Sequence, residues 1–341
     1  MPRQKVSSSK ILVTGATGFL GRTLLEHLAK HGEKQIRVLT TSSPGWLQNL
    51  DLEVIEGSIM SPEIVAVAVG GVNQIYHLAG KVSRNEDEKR GMYAVHVDGT
   101  RILCEAAKKA RVRRIVMASS SGTIAITEDG YEIPTEEWPT PIEIITKFPY
   151  YASKLYQEKA ARMICGDEVE LVILNPSLLL GPGDDRLSST QDVLKFLAGD
   201  IPATPSGGIN FVDVRDAAPA FYNAMQRGNP GERYLLGGPN WTLERFFGHL
   251  ERVSKVSAPK FKVPAKFHTV SSKLMEGIYK SLGKTPPLEP VSMEMSRYFW
   301  YVDATKAKAE LDFTPRDPQE TLFDTVEYLR EHFLGAGIFG S

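Results

Sequence analysis

The sequence holds only two cysteines in 341 residues, Cys104 and Cys165, each inside a helical pattern and neither in a CxxC. That leaves no disulfide framework, and it marks both thiols as small buried hydrophobes. Long apolar runs are missing as well. Leu171 to Leu174 and Ile64 to Val69 fall far short of the ~20 residues a membrane-spanning helix requires. The opening MPRQKVSSSK has no apolar stretch of the kind a secretory leader carries. Neither sign of charge is in excess: 40 Lys and Arg face 41 Asp and Glu. A net charge of −1 gives no reason to expect nucleic acid or an anionic membrane as partner. No cluster of His, Cys, Asp or Glu has metal-ligand spacing, so no metal is expected. The expected setting is a reducing cytoplasm, and the expected partner is a small-molecule substrate.

What is present reads as a soluble globular chain, with 42% hydrophobic and 24% charged residues. Short apolar runs alternate with helical patterns: ILVTG (11–15), IRVLT (36–40), LEVIEG (52–57), QIYHLAG (74–80), RRIVMASS (113–120) and ELVILNP (170–176) as strands. Helices are expected from Leu20 to a stop at Gly32, and over 62–69, 93–110 and 150–164. This spacing predicts an α/β fold, a Rossmann-type doubly wound parallel sheet. After Pro176 the pattern loosens into a smaller α/β substrate lobe. The expected division is 1–175 for dinucleotide binding, with segments near 209–238 returning to it. The smaller lobe takes 176–208 and 239–334, and 335–341 is a tail.

The first strand runs into TGATGFLG, with Gly15, Gly18 and Gly21 in a GxxGxxG between a strand and a helix. Gly15 permits a tight turn, Gly18 a close backbone approach to a pyrophosphate, and Gly21 close packing of helix on sheet. The helix N-terminus then offers unpaired N–H groups and partial positive charge to phosphates. Thr17, Phe19 and Leu20 fall in the same cradle. About 20 residues on, an Asp or Glu would read an unphosphorylated ribose. Thr40, Thr41, Ser42 and Ser43 stand there instead. Hydroxyls without an acid favour NADP(H), with NAD(H) also open; the same hydroxyls could merely cap a turn. Arg37 lies within the strand.

In KFPYYASKLYQEKA (147–160), Tyr150 is the only one of 12 tyrosines with a lysine four residues later, Lys154. Helical positions i and i+4 share a face, and Pro149 suits a first helical position. A phenol with a pKa near 10 needs roughly three units of lowering to exchange protons near pH 7, about 4 kcal/mol. A nearby ammonium and a charged nicotinamide can supply it. Tyr151 lacks the cation and is expected to line the pocket. Ser119, Ser120 and Ser121 end the fifth strand, at the edge where such sheets bind ligands, and strand alternation alone does not choose among them.

Together these residues resemble the extended short-chain dehydrogenase/reductase family, also called the NAD-dependent epimerase/dehydratase family. The matched elements are TGATGFLG, HLAG, VDGT (97–100), ASSSGT (118–123), YxxxK, NPSLLLGPGD (175–184) and FVDVRDAA (211–218). SSSGTIAI and the ending DATKAKAELDFTPRD are most similar to its dihydroflavonol-reductase-like and 3β-hydroxysteroid-dehydrogenase-like branch. The resemblance implies a Ser120, Tyr150, Lys154 catalytic set, with Ser121 as second choice for the serine. It implies that Pro176, Ser177 and Leu178 lie near the nicotinamide, and further cofactor contacts are expected from Ser58, Ile59, Leu78, Ala79, Gly80 and Lys81. Substrate contacts are expected from Ser121, Gly122, Thr123, Tyr151 and Arg215, with a local ion pair as the alternative for Arg215. Three departures stand out: Gly57-Ser58 replaces Gly-Asp, His96 replaces an asparagine, and the strand-four loop reads AGKVS where Ala-Ala is commoner, so that Lys81 could reach the cofactor phosphates. The implied activity is an NADP(H)-dependent reduction of a carbonyl or oxidation of a secondary alcohol. A nucleotide-sugar epimerase or dehydratase with retained NAD is the alternative, with Lys255, Lys260, Lys262 and Lys266 as candidate diphosphate ligands. A monomer or homodimer is compatible with the resemblance. SRNEDEKR (83–90) is expected as a solvated loop, and Tyr298 to Tyr301 as packing residues.

Overall fold

The structure is a computed structural model and describes residues 10–262 and 290–335. Lys266 and most of the 335–341 tail lie outside the described residues. The chain opens with β1 (Ile11–Thr14), α1 (Phe19–Lys30), β2 (Ile36–Thr40), β3 (Glu53–Glu56), α2 (Pro62–Val69) and β4 (Gln74–His77). It continues with α3 (Lys89–Tyr93), a π-helical turn over Ala94–Asp98, α4 (Gly99–Lys109) and β5 (Arg114–Ala118). Then come α5 (Ile142–Ile145), α6 (Pro149–Cys165), β6 (Glu170–Pro176), β7 (Leu178–Leu180), α7 (Gln191–Leu197), β8 (Gly208–Asp213), α8 (Val214–Arg227), β9 (Arg233–Leu236), β10 (Asn240–Thr242) and α9 (Leu243–Ser254).

Seven strands form a parallel sheet in the order β3-β2-β1-β4-β5-β6-β9, which bears out the expected doubly wound architecture. Side chains alternate across it. Val13, Val116, Val172 and Leu174 pack on one face with Leu24 and Leu28 of α1 and Phe221 of α8. Leu12, Ile115, Leu171 and Ile173 pack on the other with Val65, Leu103 and Ala161. Each such side chain, fully buried, contributes about 1.5–3 kcal/mol. The order reverses between β1 and β4, so a crevice opens at their C-terminal ends.

A second sheet, β10-β8-β7, packs on α7, α9 and the helix Pro318–Leu329 through Phe196, Phe211, Trp241, Phe246, Leu322 and Val326. Chain segments alternate between the two sheets: β8 pairs with β7, whereas α8 packs against α1 and β9 joins β6. Both cysteines are buried and unbridged. Among the described residues no helix is long and apolar enough to cross a membrane, and no group of His, Cys, Asp or Glu could hold a metal ion.

The helix expected from Tyr93 begins earlier, at Lys89, and is broken by the π-helical turn that carries His96. No periodicity signals such a turn. It realigns one residue, a device frequent at functional sites.

Candidate active site

The glycine turn sits at the crevice. Gly15 has φ +73°, and a Cβ there would lie 2.5 Å from the Leu78 carbonyl and the Ala79 nitrogen. A Cβ on Gly21 would lie 2.1 Å from the Gly15 oxygen. Only glycine fits at either place. Gly18 caps α1 without a side-chain bond, and no acid occupies the first turn, so the first N–H groups of the helix are left for a ligand. The Oγ of Ser177, on the same cavity wall, is buried with no partner. Backbone cradle and orphaned hydroxyl both fit a dinucleotide.

A cavity of about 820 Å³ runs from this turn towards the second sheet. Its wall takes in Gly15, Thr17, Gly18, Phe19, Leu20 and Gly21, then Leu78, Gly80, Lys81, Pro176, Ser177 and Leu178. Ser120, Ser121, Tyr150, Tyr151 and Lys154 belong to the same wall.

α6 positions the tyrosine and lysine. Pro149 starts it, as expected. Its inner face is polar where a core helix is usually apolar: Lys154, Gln157 and Glu158 are all under 5% exposed. Each is satisfied. Lys154 Nζ donates to the Ala118 carbonyl and to Gln157 Oε1, both at 2.9 Å. Glu158 Oε1 accepts from Ser119 Oγ, from Thr123 Oγ1 at 2.9 Å and from Asn175 Nδ2 at 2.8 Å. Gln157 Nε2 donates to Thr100 Oγ1 at 2.9 Å, which is bonded to His77 Nε2 at 2.8 Å. Buried charge without such partners would be prohibitively costly.

Burial lowers the Lys154 ammonium to about 8, against a smaller opposing effect of Glu158. Burial, and secondarily Tyr151, raises the Tyr150 phenol well above its usual value. The lowering expected from Lys154 is not what dominates here. Desolvation wins, because the ammonium is turned to Ala118 and Gln157. Tyr151 is pushed up to about 12, chiefly by burial.

The three serines are now distinguished. Ser119 is committed to Glu158. Ser120 is half-buried and its Oγ accepts from the Gly122 N–H at 3.3 Å, capping the short turn Ser121–Thr123. Ser121 is buried at the wall beside it.

His96 is anchored. Its Nε2 accepts from the Lys81 N–H at 3.0 Å, which leaves the proton on Nδ1, 2.8 Å from Ser153 Oγ. Ser153 in turn donates to the Tyr150 carbonyl at 2.7 Å. Burial, then the charge of Lys154, holds the ring neutral. With both nitrogens engaged, His96 ties the end of β4 to the first turn of α6.

Other expected contacts fall elsewhere. Arg215, expected at the substrate, instead bonds Asp213 at 2.8 and 2.7 Å and pairs with Asp324 at 2.7 Å, off the cavity wall. Gly122 lies under the Tyr151 ring, and Thr123 donates to the Ser120 carbonyl and Glu158; neither lines the cavity. Thr41, Ser42, Ser58, Ile59 and Ala79 also lie off the wall. Ser58 Oγ accepts from Met60, Ile59 packs against Gly99, and Ala79 N–H donates to Thr14 Oγ1. Arg37 donates to the carbonyls of Val67, Ala68 and Gly70 and pairs with Glu53, off the cavity wall.

Several wall residues carried no sequence signal. Arg84, expected in a solvated loop, makes two bonds to Asp192 of α7 at 2.9 and 2.7 Å. Trp300, expected as packing, lies tilted against Tyr151 with centroids 4.8 Å apart and also lines the cavity. Arg22, Trp46 and Arg186 complete its rim beside the glycine turn.

Residues 11–237 match the model of the NAD dependent epimerase/dehydratase family. The chain is 32% identical over 327 residues to a Synechocystis sp. protein named as a dihydroflavonol 4-reductase, covering 94% of each. It is 29% identical over 325 residues to sterol demethylase protein B of Methylococcus capsulatus, covering 94% of this chain and 98% of that one. Among solved structures, gox2253 superposes with a TM-score of 0.81 and 29% identity, covering 96% and 99% of the two chains. UDP-glucose 4-epimerase of Thermotoga maritima shares the fold, with a TM-score of 0.72 and 23% identity over 94% and 99%.

Proposed function

The chain belongs to the NAD-dependent epimerase/dehydratase family, and from that premise we propose that it is an NADP(H)-dependent oxidoreductase interconverting a carbonyl and a secondary alcohol. The observation that carries this reading is the placement of Ser120, Tyr150 and Lys154 on one wall with the glycine turn. When bound, the nicotinamide supplies or accepts the hydride.

Tyr150 donates its phenolic proton to the carbonyl oxygen in reduction and removes the alcohol proton in oxidation. A phenol held high by burial is fully protonated at neutral pH and ready to act as the acid. Ser120 Oγ donates to the reacting oxygen and orients it. Lys154, still charged near pH 7, offsets the negative charge left on Tyr150. NADP(H) is favoured because Thr41, Ser42 and Ser43 stand where an acid would repel a 2′-phosphate.

The far end of the cavity favours an apolar substrate. Ile201, Ile209, Leu243, Phe246, Met295 and Trp300 line it, and its arginine, Arg84, is held by Asp192. A nucleotide-sugar reading needs cations free for a second diphosphate at that far end, away from the glycine turn. Lys255, Lys260 and Lys262 are off the wall, and Lys262 pairs with Glu244 at 2.7 Å.

The deciding experiment follows NADPH and NADH oxidation separately with a panel of apolar aldehydes and ketones. Turnover with NADPH that Tyr150→Phe lowers at least ~10²-fold is expected. Retained NAD together with epimerisation of a UDP-sugar would overturn the reading.

A further inference from the structure

Five cations line the cavity, and four of them are engaged. Lys154 donates to Ala118 and Gln157, Lys81 pairs with Glu88, and Arg84 is held by Asp192. Arg22 reaches Glu26 at 3.3 Å and Asp185 at 3.4 Å. Arg186 makes no ion pair among the described residues. Its Nη2 donates to Thr17 Oγ1 at 3.2 Å. Thr17 lies inside the glycine turn, directly before the N-terminus of α1.

Two positive features therefore face each other. The helix end carries partial positive charge, and a guanidinium placed over it without a counter-ion is repelled. An anion between them turns both into attraction. The loop that delivers Arg186 is preset for this. Asp184, 1% exposed, accepts from the Ser188 N–H and Oγ, the Ser189 N–H and the Thr190 N–H and Oγ1, at 2.8 to 3.0 Å. Its neighbour Asp185 is held by Arg22 and Tyr328.

The geometry points to Arg186 as the phosphate-binding cation of the dinucleotide site, closing from the loop after β7 onto the phosphates held by the glycine turn. This rests on the reading of the cavity as a dinucleotide site. The anion is either the pyrophosphate or a ribose 2′-phosphate. Sequence reasoning missed Arg186 because it is far from the glycines along the chain and belongs to no phosphate motif.

The test titrates NAD⁺ and NADP⁺ into wild type, Arg186→Ala and Arg186→Lys by calorimetry, at low and high salt, with thermal unfolding as the check on folding. Arg186→Ala is expected to raise the Kd for NADP⁺ at least tenfold at low salt and less at high salt, with Arg186→Lys in between and unfolding unchanged. An equal loss for NAD⁺ assigns the contact to the pyrophosphate; a loss confined to NADP⁺ assigns it to the 2′-phosphate. Either upholds the inference. Unchanged Kd values for both dinucleotides overturn it. Wild type that binds NAD⁺ more tightly than NADP⁺ removes the NADP(H) preference alone, and the effect of Arg186→Ala on NAD⁺ is still read independently.

Discussion

The Lys154 ammonium donates to the carbonyl of Ala118, the last residue of β5, at 2.9 Å. A four-carbon side chain from α6 thus fixes its helix to the strand edge that carries the serines. The same bond fixes where the positive charge can act, beside the hydroxyl end of the cavity.

Reduction should depend on that charge. Burial sets the Lys154 pKa to about 8, so the ammonium is present below this value and lost above it. The rate of carbonyl reduction is expected to fall as pH rises through about 8. Glu158→Gln removes the group that raises Lys154 and should move the falling limb to lower pH. A kcat–pH profile of both proteins checks this; an identical limb in the variant would contradict it.

Tyr150→Phe should lower kcat by at least ~10²-fold, the usual scale of a general acid. The dinucleotide Kd should be unchanged, because phenylalanine keeps the ring that contacts His96 and Tyr151. Comparing saturated turnover with equilibrium binding separates the two effects.

Gly21→Ala should be the more damaging glycine change on α1. Its Cβ would stand 2.1 Å from the Gly15 oxygen, against 3.3 Å for a Cβ on Gly18. Backbone cannot yield as a side chain does, so a cost of about 1–3 kcal/mol is expected for Gly21→Ala. Denaturant midpoints of the two variants should rank them in that order.

Acid stability should turn on His77. Burial lowers it to about 3 from the usual 6.5, so it is neutral in the fold while the unfolded chain takes up a proton near pH 6.5. His77 then contributes its full stability above about 6.5 and costs the fold about 1.4 kcal/mol per pH unit as pH falls towards 3, and His96, also held neutral by burial, adds to the slope below pH 6.5. His77→Gln should flatten the stability–pH curve in that window. A curve with undiminished slope would show that other groups control it.

The sheet and the glycine turn were legible because their signals are local: apolar runs of strand length, and glycines at fixed offsets between strand and helix. Tyr150 could be singled out for the same reason, since i and i+4 share a helix face. Its electrostatics could not. The ammonium turns to Ala118 and Gln157, and burial outweighs it at the phenol. Arg215 looked equally plausible in the pocket or in a local pair, and only the position of Asp213 and Asp324 decides for the pair. Arg84 and Asp192 are 108 positions apart, so no window of sequence contains their contact. The π-helical turn around His96 escaped for a different reason, as one extra residue per turn leaves no mark in an apolar pattern.

The five hydrogen bonds that Asp184 accepts give the 184–190 segment its final shape ahead of any ligand. A nucleotide docking there as proposed would meet a finished surface and forfeit little chain disorder. Capture should then be limited by diffusion and orientation instead of loop folding, and a protease should find this stretch as resistant in the empty protein as in the loaded one.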